Sequence, residues 1–138
     1  MNLSENFTLN ELLRSDTANR MKIVEQYTPS QAVIENLRKL CVNVLQPLRN
    51  HLGRSIRVTS GFRCNRLNTL VKGKKNSQHP EGKAADIEVD GMTNQDLMKV
   101  IIVLNLPFDQ LINEYEPNGW VHVSFDDKRN RKQVLKIG

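Results

Sequence analysis

Aromatic residues are scarce in this 138-residue chain: one Trp, two Tyr and four Phe, 5% in all. That argues against a broad aromatic face for carbohydrate or stacked single-stranded nucleic acid, although one Trp is enough to line a pocket. Cysteine is scarcer still. Cys41 and Cys64 cannot make a disulfide framework, so folding does not depend on an oxidising compartment. No apolar run approaches the length of a membrane span. The opening "MNLSENFTLNELL" lacks a basic-then-apolar targeting pattern. The expectation is synthesis in the cytoplasm without a signal peptide, no membrane insertion, and another route out for any work outside. Internal repeats, low-complexity segments, Cys/His fingers and ribonucleoprotein-type strands are also absent.

What is present is globular. A hydrophobic fraction of 38% and a charged fraction of 25% fit one ordinary domain, so residues 1–138 read as a single domain, with a monomer as the default. Lys plus Arg is 20 against 15 for Asp plus Glu, a net +5, and part of the excess lies in "DDKRNRKQVLK". Such a balance usually solvates a surface, and it also suits a polyanion. Without a reading element, nucleic acid is not expected as a partner.

Thr8 with Glu11 forms a capping-box signature ahead of Leu9, Leu12 and Leu13, a short helical face. "SDTANRMKIVEQY" is weakly patterned and reads as extended or loop. Thr28 as N-cap, Pro29 at the first helical position and Gln31 three residues on start the longest helix. Its apolar stripe runs from Val33 through Cys41 to Leu48, with His51 near the end. "SIRVTSGF" alternates as a strand ended by Gly61, and "RCNRLNTL" opens as a short helix. Ile87 and Val89 alternate with Asp86, Glu88 and Asp90 in another strand. Thr93 caps a helix through Leu97, Val100, Ile101 and Leu104. "FDQLINEY" and "WVHVSF" make a hairpin around "EPNG", and "QVLKI" adds an edge strand. This order predicts an α+β fold, a small antiparallel sheet with helices packed on it.

Asp86 shares a strand face with Ala84 and Glu88, opposite Ile87 and Val89. His79 precedes it across a turn containing Pro80 and Gly82, which lets the imidazole fold back toward the carboxylate. His122 projects to the same face of its strand as Trp120. Taken singly, a strand histidine is more often a hydrogen-bonded, half-buried residue than a ligand. Together, two histidines and an aspartate make three protein ligands, which leaves the fourth position of a zinc ion open for water.

Three blocks in order, "SGFRC" (60–64), "SQHPEGKAADI" (77–87) and "WVHVSF" (120–125), resemble the zinc D-alanyl-D-alanine carboxypeptidase family, which includes phage endolysins and cell-wall endopeptidases. The middle block carries Ser77, His79, Gly82, Ala84 and Asp86 at the family's fixed positions. The resemblance implies Zn2+ held by His79, Asp86 and His122, and a small fold shared with lysostaphin-type peptidases and the hedgehog amino-terminal domain. It implies cleavage of a bacterial peptidoglycan peptide. A carboxylate must move the water's proton. Some relatives place it three positions before the last histidine, but here that position is Gly119. Glu114 and Glu116 remain. A three-residue loop, Pro117 to Gly119, would set Glu114 opposite His122 and on its face, whereas a two-residue Asn-Gly turn would shift the parity and set Glu116 opposite Val121. Glu114 is the favoured base and Glu116 the alternative. Arg63 is expected to clamp a substrate carboxylate or steady an oxyanion. Ser77, Gln78 and Trp120 are expected to contact substrate.

Overall fold

The computed structural model describes residues 1–138. Its N-terminal strands β1 (Asn2–Ser4) and β2 (Phe7–Thr8) pair as a small antiparallel ribbon. Helix α1 (Leu9–Leu13) follows at once, with the expected box: Thr8 accepts from the Glu11 N–H, and Glu11 reaches back to the Thr8 N–H. Helix α2 (Asp16–Arg20) occupies sequence read as extended or loop. Five residues are too few to display a helical period, and the signal lies in Ser15, whose Oγ accepts from the Ala18 N–H.

Helix α3 (Gln31–Leu40) begins later than the sequence predicts. Its cap is Ser30, which accepts from the Val33 N–H, whereas Thr28 turns its hydroxyl to the Glu25 carbonyl. A π-helical turn, Cys41–Leu45, joins it to α4 (Gln46–Leu52). Pro47 cannot donate to the helical ladder, and the rod widens just before it. Leu37, Leu40, Cys41, Val44, Leu45 and Leu48 are fully buried along one stripe. Burial pushes the Cys41 thiol up to about 12 and leaves it inert.

The main sheet has the order β3-β4-β6-β5-β7, from β3 (Arg57–Ser60), β4 (Ala84–Glu88), β5 (Gln110–Glu114), β6 (Trp120–Ser124) and β7 (Gln133–Ile137). Every pairing is antiparallel except β5 with β7. Helix α5 (Asn65–Leu70) follows β3, and α6 (Asn94–Val103), capped by Thr93, packs beside β5 and β6. Ala85, Ile87, Leu111, Val121 and Val123 form the sheet's apolar face and join the core cluster. The architecture is the α+β one expected, a small, mainly antiparallel sheet with helices packed on it. No helix is long and apolar enough to cross a membrane.

Candidate metal centre

Adjacent central strands bring the chemistry together. In the β4–β6 register Asp86 lies opposite His122, and both point away from the core. His79 comes from a 3-10 turn, His79–Glu81, which ends at Gly82 in the left-handed region at φ 75°. A Cβ there would also meet the Val33 carbonyl at 2.8 Å, so only glycine lets this turn rest on α3. Gly61 is equally constrained, because its Cβ would lie 2.4 Å from the Leu12 carbonyl. The glycines of the sequence blocks are close-approach positions on which the ligand loops seat.

The donor atoms of His79, Asp86 and His122 lie within 4.8 Å of one another, and all three residues are buried. Asp86 Oδ1 is 3.0 Å from His122 Nδ1 and 3.3 Å from His79 Nε2. His79 Nδ1 lies 2.7 Å from the Gly61 carbonyl. A carbonyl only accepts, so Nδ1 carries the hydrogen and Nε2 faces the cluster. An imidazole nitrogen and a carboxylate oxygen facing each other at 3.3 Å need a proton or a cation between them. The donor set therefore fits a metal: two imidazoles and one carboxylate, buried, with one ring oriented from behind. Burial opposes ionisation of Asp86, but the two imidazoles outweigh it and hold the carboxyl well below its ordinary range.

Glu114 stands at the edge of this group. Its Oε2 is 3.7 Å from His122 Nδ1 and accepts from Trp120 Nε1 at 3.2 Å. Burial and the neighbouring Asp86 raise its pKa, partly offset by His122 and the Trp120 bond. The register differs from the one expected. Glu114 pairs with Trp120, and Ile112 is opposite His122. The loop spans Tyr115 to Gly119, two residues more than expected, and a shift of two preserves the face. Glu116 instead accepts from Asn113 Nδ2 at 2.6 Å, and Asn113 bonds Asn94 of α6 on the reverse side of the sheet. At position 119 a Cβ would lie 1.7 Å from the Glu114 carbonyl, so the hairpin has no room there for a carboxylate.

Arg63 is half-buried, and its Nε has no hydrogen-bond partner. Burial lowers its pKa, while the charges of Asp86 and Glu114 pull the other way. Ser77 supports the ligand turn, its Oγ accepting from the His79 N–H at 3.1 Å. Gln78 is drawn off differently: its Nε2 donates to Asp109 at 3.1 Å. Glu88, on the same strand face as Asp86, pairs with Arg57 instead.

Two supporting residues escape sequence reasoning. Gln26 is fully buried and donates to the Leu13 and Phe62 carbonyls while accepting from the Cys64 N–H, which fixes the backbone on both sides of Arg63. Asp109, 1% exposed, holds Arg131 through both oxygens as well as Gln78. Gln26 sits in an unpatterned segment that gives no signal. Asp109 carries only a weak one, an acid at the entry of an apolar strand.

A comparison with curated proteins returned no match. The model of the family described as Peptidase M15, the zinc D-alanyl-D-alanine carboxypeptidase-like group, matches residues 5–124, a span that contains α1, all three donor residues and Glu114. With most of its length matched and a His–Asp–His group able to hold a metal at the sheet's centre, the chain belongs to the peptidase M15 family.

Proposed function

We propose that this protein is a zinc-dependent peptidase that hydrolyses a peptide bond in the stem or cross-link peptides of bacterial peptidoglycan, in phage lysis or wall remodelling. His79, Asp86 and His122 hold the metal in this reading, and the chain acts as a monomer at the cell wall, on peptide rather than nucleic acid. The observation that carries it is Glu114 Oε2, 3.7 Å from His122 at the edge of a buried His–Asp–His group. A carboxylate so placed is what hydrolysis requires beyond metal binding. A binding module with a vestigial site would need both candidate carboxylates turned away, and only Glu116 is.

Zinc, when bound, lowers the pKa of a water and polarises the scissile carbonyl. Glu114 takes the proton from the attacking water and delivers it to the leaving amine. Its raised pKa suits both halves of that task, because the carboxyl must accept a proton and then release it. The Trp120 N–H fixes the carboxylate's orientation. Arg63, held by the Gln26-bonded backbone, steadies negative charge growing on the carbonyl oxygen. Ser77 keeps the His79 turn in place and borders the peptide's path.

The test is incubation of the zinc-loaded protein with purified peptidoglycan of several cross-link types, with products read by mass spectrometry. New amine termini at one bond type are expected. Absence of cleavage with every wall type, in protein proven to hold zinc, overturns the reading.

A further inference from the structure

Between Glu35 and Glu81 the chain has no acidic residue, while Lys and Arg recur throughout. Four of these cations form ion pairs. Arg38 meets Glu35, Lys39 meets Asp127, Arg57 meets Glu88 and Asp90, and Arg66 lies near Glu25. Arg63 faces the metal centre. Arg49 and Arg54 form no ion pair but stand singly, whereas Lys72, Lys74 and Lys75 stand together. They follow one another within four residues, all exposed, and none forms an ion pair.

Their loop is a built structure. Asn68 is 6% exposed and donates through Nδ2 to the Lys74 carbonyl, and the Gly73 N–H returns to the Asn68 carbonyl at 2.7 Å. A Cβ at Gly73 would lie 2.0 Å from Asn68 Oδ1, so the loop lies tightly over that side chain. Lys72 holds a left-handed φ of 61°. Beside the loop runs a groove of about 550 Å³, walled by Asn65, Thr69, Lys75, Asn76, Ser77 and Glu81. Apart from Pro80, its lining is polar throughout. Pro80 and Glu81 line the groove and belong to the turn that presents His79, so the groove reaches that turn.

We propose that this groove is the subsite for a carboxylate-bearing arm of the peptide substrate, with Lys75 meeting the carboxylate while Lys72 and Lys74 raise the local positive potential. The proposal rests on the peptidase reading of the adjacent centre. Amide and hydroxyl side chains along the walls match the alternating donors and acceptors of a peptide backbone. The charge adds attraction and a faster encounter.

The test separates the groove from the chemistry by using the zinc-loaded Glu114→Gln variant, which cannot turn the peptide over. A fluorescein-labelled tetrapeptide of wall composition ending in D-Ala is titrated by anisotropy, once as the free acid and once with its carboxylates amidated. At about 50 mM salt the free acid binds about three- to fivefold more tightly, the range of one or two exposed ion pairs. The preference disappears when the Lys74→Glu/Lys75→Glu double variant is made in the same background, with the melting temperature unchanged, and shrinks with added salt. Equal affinity for the two peptides overturns the proposal. So does a preference that survives the double variant, or one abolished by Arg63→Ala and untouched by the lysine changes. Hydrolysis by the zinc-loaded wild type is scored separately, so loss of the peptidase reading and loss of this subsite give different results.

Discussion

Strands β4 and β6 alternate two kinds of side chain, and the two faces they build have opposite requirements. Toward the helices, Ala85, Ile87, Val121 and Val123 are shielded from solvent and belong to the core. On the other face Asp86 and His122 are almost as buried, at 6% and 8%, yet polar. Burying a charge costs free energy unless it is paired, so the second face is not built for stability alone. Burial therefore does not tell the faces apart. Tolerance to substitution does: the core face answers to volume, and the opposite face to the identity of single atoms.

The largest expected effect comes from one atom on the polar face. Glu114→Gln keeps the shape and the Trp120 contact but cannot take a proton. Turnover falls by about 10²–10⁴-fold, with zinc content and melting temperature unchanged. Glu116→Gln, on the reverse side, retains full turnover. A loss in Glu116→Gln alone would move the base to the reverse side of the sheet. The next effect is on the metal. Asp86→Asn is equally conservative in shape, and it should weaken zinc by more than the roughly 100-fold typical of losing an outer-sphere partner. Competition against a chelator measures it. Unchanged affinity would remove Asp86 from the ligand set.

Much of this division is legible in the amino-acid sequence, because a pleat of period two writes each face at alternate positions. Ile87 against Asp86 and Val121 against His122 are readable for that reason. Capping chemistry likewise reveals α1 and α6 through Thr8 and Thr93. The hairpin is legible in parity but not in register. Asn118-Gly119 resembles a tight turn, yet the chain uses five residues, and only the even shift keeps Glu114 beside His122. The start of α3 is misread because Thr28, Pro29 and Ser30 all suit a helix start, and it is Ser30 that accepts from the Val33 N–H. Contacts made by backbone atoms leave no trace in sequence. The Gly61 carbonyl that orients His79 is one such contact, and the carbonyls gathered by Gln26 are others.

A smaller effect is expected one residue from Asp86. Ile87→Val removes a single methylene from the core face and costs about 1 kcal/mol. Urea unfolding reads it as a lower midpoint with the slope unchanged. Zinc affinity and turnover of the folded protein stay at the wild-type level. Neighbouring residues altered by about one heavy atom each, Asp86 and Ile87, then fail in different assays. If Ile87→Val also weakens zinc, the two faces are coupled through the strand and the separation is less complete than the geometry implies.

Asp109 gives the finest test, because it is buried and polar but does not belong to the cluster. The Arg131 side chain bonds to it and holds its pKa below the ordinary carboxylate value, against the opposing effect of burial. A folded-state pKa below the unfolded one means that the stabilisation is complete above the unfolded value, near 3.9 for Asp. It is lost as pH falls through the folded value. Arg131 is 39% exposed, so solvent screens the pair and Asp109→Asn lowers stability only modestly at pH 7. The gap between wild type and variant, from urea unfolding, should close as pH drops below about 4. Zinc affinity should be untouched, because Asp109 reaches the centre only through Gln78, the residue before His79. A fall in zinc affinity alongside the fall in stability would instead make Asp109 a positioning residue for His79, and would carry the chemical face of the sheet as far as the entry of β5.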